Sequence, residues 1–224
     1  MPSLYARQLC NAGDTVYKRI IKRLFDISAS AFLFILLLPV MLITALLVRL
    51  TSSGPAVFRQ ERIGRGGKVF TMYKFRTMKN NSEHTGSGVY SGDGDTRVTG
   101  VGKVLRATSI DELPQLVNII KGDMSFLGPR PPLTYHPWTY DRYTKEQLRM
   151  FEVRPGISGW AQVNGRRCVE WNERIKMNVW YVDHVSFLLD LKIVFLSVVR
   201  VFSNADNKNI GATVTQAPKS PSEL

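Results

Sequence analysis

LFDISASAFLFILLLPVMLITALLV, residues 24–48, is the only long apolar run in the chain, and Pro39 stands in its middle. As a helix it would be about 37 Å long at ~1.5 Å per residue, enough to cross a hydrocarbon core of about 30 Å. The flanks oppose a crossing. Lys18, Arg19, Lys22 and Arg23 precede the run. Arg49, Arg59, Arg62, Arg65, Lys68, Lys74, Arg76 and Lys79 follow it, with Glu61 the only acid between 49 and 79. A spanning helix leaves one flank poor in Lys and Arg, because positive charge is retained on the cytoplasmic side. Two arrangements fit the run: a transmembrane helix kinked at proline, or a segment that enters the bilayer, bends at Pro39 and returns to the same face. The charge symmetry favours the second. Arms 24–38 and 39–48 would be about 22 and 15 Å long as helices, so neither crosses alone. Pro39 removes one backbone donor and crowds the carbonyl four residues back, which leaves Ser28, Ser30 and Thr44 to supply local hydrogen bonds. Asp26, beside Arg23, falls at headgroup level, either as an anchor or as a snorkelling acid with no special role.

Composition agrees with a protein docked on a membrane face. A chain of 224 residues allows one domain and a membrane element. A formal charge of +12 and a pI near 9.9 favour polyanionic neighbours such as anionic lipid, nucleotide phosphate or nucleic acid. Cys10 and Cys168 form no CxxC pair, which argues against a disulfide framework or a zinc site. His84, His136 and His184 show no ligand spacing. The apolar run is too long for a signal peptide and lacks a small-residue cleavage site.

Residues 56–60 and 68–76 alternate as strands do, with Gly64-Arg65-Gly66-Gly67 as the hairpin turn and Lys74 and Arg76 on one strand face. Residues 80–100 are polar and glycine-rich and read as a surface loop. Asp93-Gly94-Asp95 within it lacks the following glutamate of a calcium loop.

The chemical centre is RATSIDELPQLVNIIKGDMSFLGPRP, residues 106–131. Leu113, Leu116, Val117 and Ile120 line one face of a helix that Gly122 would end. Ser109 with Glu112 fits a capping box, and Pro114 is tolerated only in a first turn, so the helix is expected to begin near 109–111. Asp111 and Glu112 then sit in that first turn, as helix caps or as catalytic groups. Gly128-Pro129-Arg130-Pro131 is a stiff turn bearing an arginine fork for phosphate, and Arg154-Pro155-Gly156 is a second. Two carboxylates, nearby arginines and a membrane anchor together point to magnesium-assisted phosphate chemistry at an interface.

In KRIIKRLFD (18–26), Pro39, YKFRTM (73–78), SIDELPQL (109–116), KGDMSFLGPRP (121–131), VRPGISGWAQVNGR (153–166) and YVDHVSFLLDLKI (181–193), the chain resembles the bacterial sugar transferases. Within them it is similar to the small monotopic phosphoglycosyl transferases, from about Lys18 to Phe202. That resemblance implies an α/β (α+β) fold: a mostly helical catalytic domain with a small β-hairpin, anchored by an N-terminal re-entrant membrane helix and amphipathic interfacial helices. The implied divisions are an extension (1–17), the membrane helix with basic flanks (18–52), a cytoplasmic catalytic domain (53–202) and a disordered tail (203–224). Leu38 departs from the serine that many relatives place before the membrane proline.

The reaction implied is transfer of a sugar phosphate from a UDP-sugar to polyprenol phosphate, releasing UMP, at the cytoplasmic face of a bacterial inner membrane. Asp111 would be the nucleophile, with Glu112 also required, Mg2+ held by Asp111 and Glu112, and a phospholipid bilayer as partner. Lys74, Arg76, Arg106, Gly128, Pro129, Arg130, Arg154 and Gln162 are the expected substrate and phosphate contacts, and Pro39 the break in the membrane helix. A carboxylate is ionised at neutral pH and needs no base to attack phosphorus. The acceptor phosphate, with a second pKa near about 6, also needs none, so Glu112 is assigned to metal binding or positioning. No nucleic acid partner is expected, because aromatic residues interleaved with the basic ones are sparse. The rival reading is a non-catalytic module binding anionic lipid or nucleic acid, which has no need of a DE pair joined to a GPRP loop. The sugar is not encoded in any motif, an N-acetylated one included, and a homodimer is left open. The 187–202 stretch reads as an amphipathic helix, at the interface or on the core.

Overall fold

The computed structural model describes residues 16–79, 82, 95–164 and 170–203. The expectations for the N-terminal extension to residue 15, Cys10, His84, Asp93-Gly94, Cys168 and the tail from 204 lie outside the described residues.

Tyr17–Ile21 forms a short π-helical lead into α1, Lys22–Thr51. Pro39 stands inside α1, which continues through it as one helix rather than ending there. Ser28 and Ser30 do bond back to carbonyls one turn earlier, those of Leu24, Phe25, Asp26 and Ile27. None of these is the carbonyl that Pro39 leaves free. The two expected arms differ instead in what they pack against. Leu33 and Phe34 join Met72, Leu116, Ile119 and Met124, whereas Met41, Ala45 and Val48 join Phe75 and Leu105. The opposite face of α1 is apolar and exposed, with Ile35 at 72 % and Leu42 at 63 %.

Strands β1 (Val57–Ile63) and β2 (Val69–Phe75) form the antiparallel hairpin, in register from Val57 opposite Phe75 to Ile63 opposite Val69. Gly66 and Gly67 turn it at φ 66° and 78°, a region that costs a side-chain-bearing residue and not glycine. Helix α2 (Gly100–Ala107) begins where the sequence reads as loop, capped by the Thr99 hydroxyl accepting from the Gly102 N–H. A Cβ on Gly102 would meet the Thr77 carbonyl oxygen at 2.0 Å, so this glycine lets α2 lie against the segment that follows β2. Helix α3 (Gln115–Lys121) ends at Gly122, φ 96°, as the sequence predicts. Its fully buried Asn118 accepts from the Tyr73 N–H at 3.0 Å and donates to the Thr71 carbonyl at 2.7 Å. One amide thus satisfies backbone groups on the free edge of β2, where a third strand would otherwise pair.

Beyond α3, β3 (Ser125–Leu127) runs parallel to β4 (Gly156–Ser158). Helices α4 (Lys145–Leu148), α5 (Trp160–Asn164) and α6 (Trp171–His184) complete the domain, and α7 (Phe187–Ser203) closes it. Ile193 and Asp190 of α7 are buried, while Phe187, Leu188, Leu191 and Phe195 are exposed, so this helix serves both the core and an outer apolar face. Asp190 accepts from Tyr17 at 2.7 Å, Lys22 at 2.6 Å and Tyr181 at 2.7 Å, tying α7 to the start of α1 and its lead-in. Asp26 is likewise internal, not a surface anchor: it is 3 % exposed and accepts the Phe126 N–H at 3.2 Å.

Candidate active site

The segment before α3 is not the continuous helix start that the periodicity predicts. Ile110–Glu112 form a 3-10 turn of their own, preceded by Ser109 at φ 58° with no side-chain cap. The capping box is therefore absent. Pro114 is the N-cap of α3, and without an N–H of its own it suits the opening of a helix and not its interior. Freed from capping, Glu112 turns to β2, where its Oε1 accepts from Lys74 Nζ at 2.6 Å. Strand register and the Asn118 bridge together fix how Lys74 stands to this turn.

Asp111 is 9 % exposed, and no donor among the described residues hydrogen-bonds to its carboxylate. Burial pushes its pKa up, only partly countered by Lys74, Arg106 and Arg130, while the neighbouring Glu112 charge raises it further. Glu112 goes the other way. Burial opposes its ionisation most, but Lys74 and Arg130 overcome that and hold it below the ordinary carboxylate value. Two adjacent carboxylates are thus pushed apart, one a charge held by a lysine, the other a buried group without a bonding partner.

Several expected residues meet here. Lys74 bonds to Glu112, and Arg106 and Arg130 both act on Asp111. Arg106 is held by its Nε donating to Thr77 Oγ1 at 2.9 Å. Gly128 and Pro129 serve the backbone that aims Arg130. The Gly128 N–H donates to the Ser158 carbonyl and the Pro129 carbonyl accepts from the Gly156 N–H, both at 2.9 Å. A Cβ on Gly128 would sit 2.3 Å from the Arg154 carbonyl oxygen.

The other expected contacts have different work. Arg76 is 6 % exposed and donates to the Ser52 carbonyl at 2.8 Å and its hydroxyl at 2.9 Å, binding the strand to the end of α1. Arg154 donates to the Gly122 carbonyl at 2.9 Å, at the far end of α3 from Asp111. Gln162 lies in α5, its side-chain amide without a hydrogen-bond partner among the described residues. Sequence reasoning missed Arg62 and Gln115, which line a cleft with Lys74, Glu112 and Arg130. For Gln115 a signal existed, since it falls three positions after Glu112. Arg62 gave none, because only the hairpin register brings β1 to the cleft.

Among the described residues no three His, Cys, Asp or Glu side chains gather as a metal site. Magnesium does not require one, since it is commonly held by one or two carboxylates together with substrate phosphates. Adjacent Asp111 and Glu112, the former with no competing hydrogen bond, fit that donor set.

The chain belongs to the bacterial sugar transferase family, whose profile matches residues 17–204. It is 47% identical over 183 residues to an uncharacterized sugar transferase, EpsL, of Bacillus subtilis, covering 81% of this chain and 87% of that protein. It is 43% identical over 198 residues to the UDP-N-acetylgalactosamine-undecaprenyl-phosphate N-acetylgalactosaminephosphotransferase of Aeromonas hydrophila, covering 87% of this chain and 47% of that one. A UDP-glucose:undecaprenyl-phosphate glucose-1-phosphate transferase of Caulobacter vibrioides is 45% identical over 183 residues, 79% of this chain and 68% of its own. The chain thus spans most of the Bacillus relative and about half of the Aeromonas one.

Proposed function

We propose that the chain is a membrane-anchored phosphoglycosyl transferase that moves a sugar 1-phosphate from a UDP-sugar to polyprenol phosphate, through a covalent intermediate on Asp111. The observation that carries this reading is the buried Asp111 carboxylate, without a hydrogen-bond donor among the described residues and acted on by Lys74, Arg106 and Arg130. The names of the relatives supply the substrate classes.

In the first half-reaction an Asp111 oxygen attacks the sugar-bearing phosphorus, the bond from that phosphorus to the bridging oxygen breaks, and UMP leaves with the electron pair. In the second, an oxygen of the polyprenol phosphate attacks the same phosphorus and Asp111 leaves as carboxylate. Burial raises the basicity of Asp111, which makes it a stronger nucleophile once ionised. Lys74, Arg106 and Arg130 offset the repulsion between this anion and the diphosphate. Held by Asp111 and Glu112, Mg2+ would neutralise phosphate charge during transfer.

The membrane helix sets the height of this chemistry. Near its start Arg23 donates to the Ile119 carbonyl at 2.7 Å, and just past its end Ser52 accepts from Arg76. Both ends are held by the same domain, which supports a monotopic arrangement with Asp111 at the cytoplasmic headgroup level, where a polyprenol phosphate presents its phosphate. The outer apolar faces of α1 and α7 supply the lipid contact.

Labelled UDP-sugar and magnesium, without polyprenol phosphate, should release UMP and add one sugar phosphate to the peptide containing Asp111. Turnover that needs both substrates bound together, with no adduct trapped, would sink the covalent route. Cysteines placed at Tyr17 and Ser53 should label from one face of the membrane. Labelling from opposite faces would rule out the monotopic arrangement.

A further inference from the structure

Gln115 opens α3 and is 2 % exposed, yet its Nε2 has no hydrogen-bond partner among the described residues. Its side chain reaches Glu112 closely enough to help hold that carboxylate ionised, as a hydrogen-bond donor does, yet Nε2 meets no described acceptor in full hydrogen-bond geometry. Leaving a buried amide donor unpaired costs about 1–3 kcal/mol, and folded proteins seldom carry one without a use. Packing does not ask for an amide here. The neighbouring Leu116 and Ile119 of the same helix enter the apolar cluster with Met72 and Met124, whereas Gln115 lines the cleft with Arg62, Lys74, Glu112 and Arg130.

We propose that Gln115 is a substrate-binding residue whose amide N–H donates to a phosphoryl oxygen of the nucleotide diphosphate, drawn into the cleft between Lys74 and Arg130. This rests on the reading of the site given above. A neutral donor suits the position: it bonds well to an anionic oxygen, and it adds no further buried charge. A phosphoryl oxygen competing with Glu112 for Lys74 Nζ opens the space beside the amide.

Gln115→Met keeps the length and removes the donor. It should lower kcat/KM for the UDP-sugar about tenfold, the scale of one hydrogen bond to a charged group. By calorimetry it should weaken the binding of UDP with magnesium by a similar factor. Its apparent melting temperature should equal or exceed that of the wild type, because an unpaired buried donor is gone. Gln115→Glu, of the same size but anionic, should bind UDP more weakly than Gln115→Met. A Met variant with wild-type kcat/KM and UDP affinity overturns the proposal. So does one that melts lower or fails to fold, since the amide would then be holding the structure together. Wild-type protein that releases no UMP from any UDP-sugar overturns the reading of the site itself. An active wild type beside an unaffected Met variant removes only Gln115.

Discussion

The two ends of α3 use the same residue types for opposite purposes. Before its first turn, Lys74, Arg106 and Arg130 bear on two carboxylates, one of which accepts no hydrogen bond among the described residues. At its last turn Arg23 donates to the Ile119 and Ile120 carbonyls and Arg154 to that of Gly122, and these cations serve backbone acceptors that a helix end leaves exposed. One end sets its cations against carboxylates and the other sets them against backbone carbonyls of the fold. An arginine beside a glycine-proline turn is thus uninformative until its acceptor is known.

The strongest way to break this comparison is at Asp111. Asp111→Asn should abolish both adduct and turnover. Because the folded-state pKa of Asp111 is raised, the stability linked to its proton is present below the ordinary aspartate range and lost as pH rises through the folded value. At neutral pH the charge therefore destabilises, and the neutral variant should melt higher, by about 2–4 °C per kcal/mol relieved. An inactive variant that melts lower would mark Asp111 as a structural group.

Lys74→Met should come next, with turnover down about a hundredfold, since it leaves Glu112 without its ion-pair partner and Asp111 with one cation fewer. Losing that cation raises the Asp111 pKa further, so the acid limb of the pH–rate profile should move to higher pH. A limb that stays in place would separate Lys74 from the titration of Asp111.

The smallest effects sharpen the contrast between the two ends. Arg106→Ala and Arg130→Ala should each lower kcat/KM about tenfold, one charge-assisted contact of roughly 1.5–3 kcal/mol, with little change in melting temperature. Arg23→Ala and Arg154→Ala should do the reverse, costing about 1–3 kcal/mol of stability and leaving kcat/KM of the folded enzyme within about twofold. The opposite pattern would exchange the roles of the two ends.

Much of the fold is legible in local pattern. The Gly64–Gly67 turn, the alternation around it and the Gly122 stop all appear where the sequence places them, whereas α3 buries Leu116 with Ile119 and leaves Ile120 exposed, so its apolar face is not the predicted one of Leu113, Leu116, Val117 and Ile120. Helix α2 is not legible, because it follows a glycine-rich stretch, and what sustains it is Gly102 lying against Thr77. At the site, Asp111, Glu112, Lys74, Arg106 and Arg130 can be picked out from the motifs. Arg62 cannot, and the tasks of Arg76 and Arg154 cannot be told from that of Arg130.

By itself the sequence determined the apolar helix with basic flanks, the family, and the DE pair beside a rigid arginine turn. These are written in contiguous residues, where hydropathy, charge and turn chemistry act over a few positions. Only the tertiary structure decided that Ser109 is no cap, that Glu112 pairs with Lys74, that α1 runs unbroken through Pro39, and which arginines face carboxylates and which face carbonyls. Those outcomes depend on distances between segments tens of residues apart. Burial and competition for hydrogen bonds settle them after the chain has folded, and no local pattern of residues carries that information.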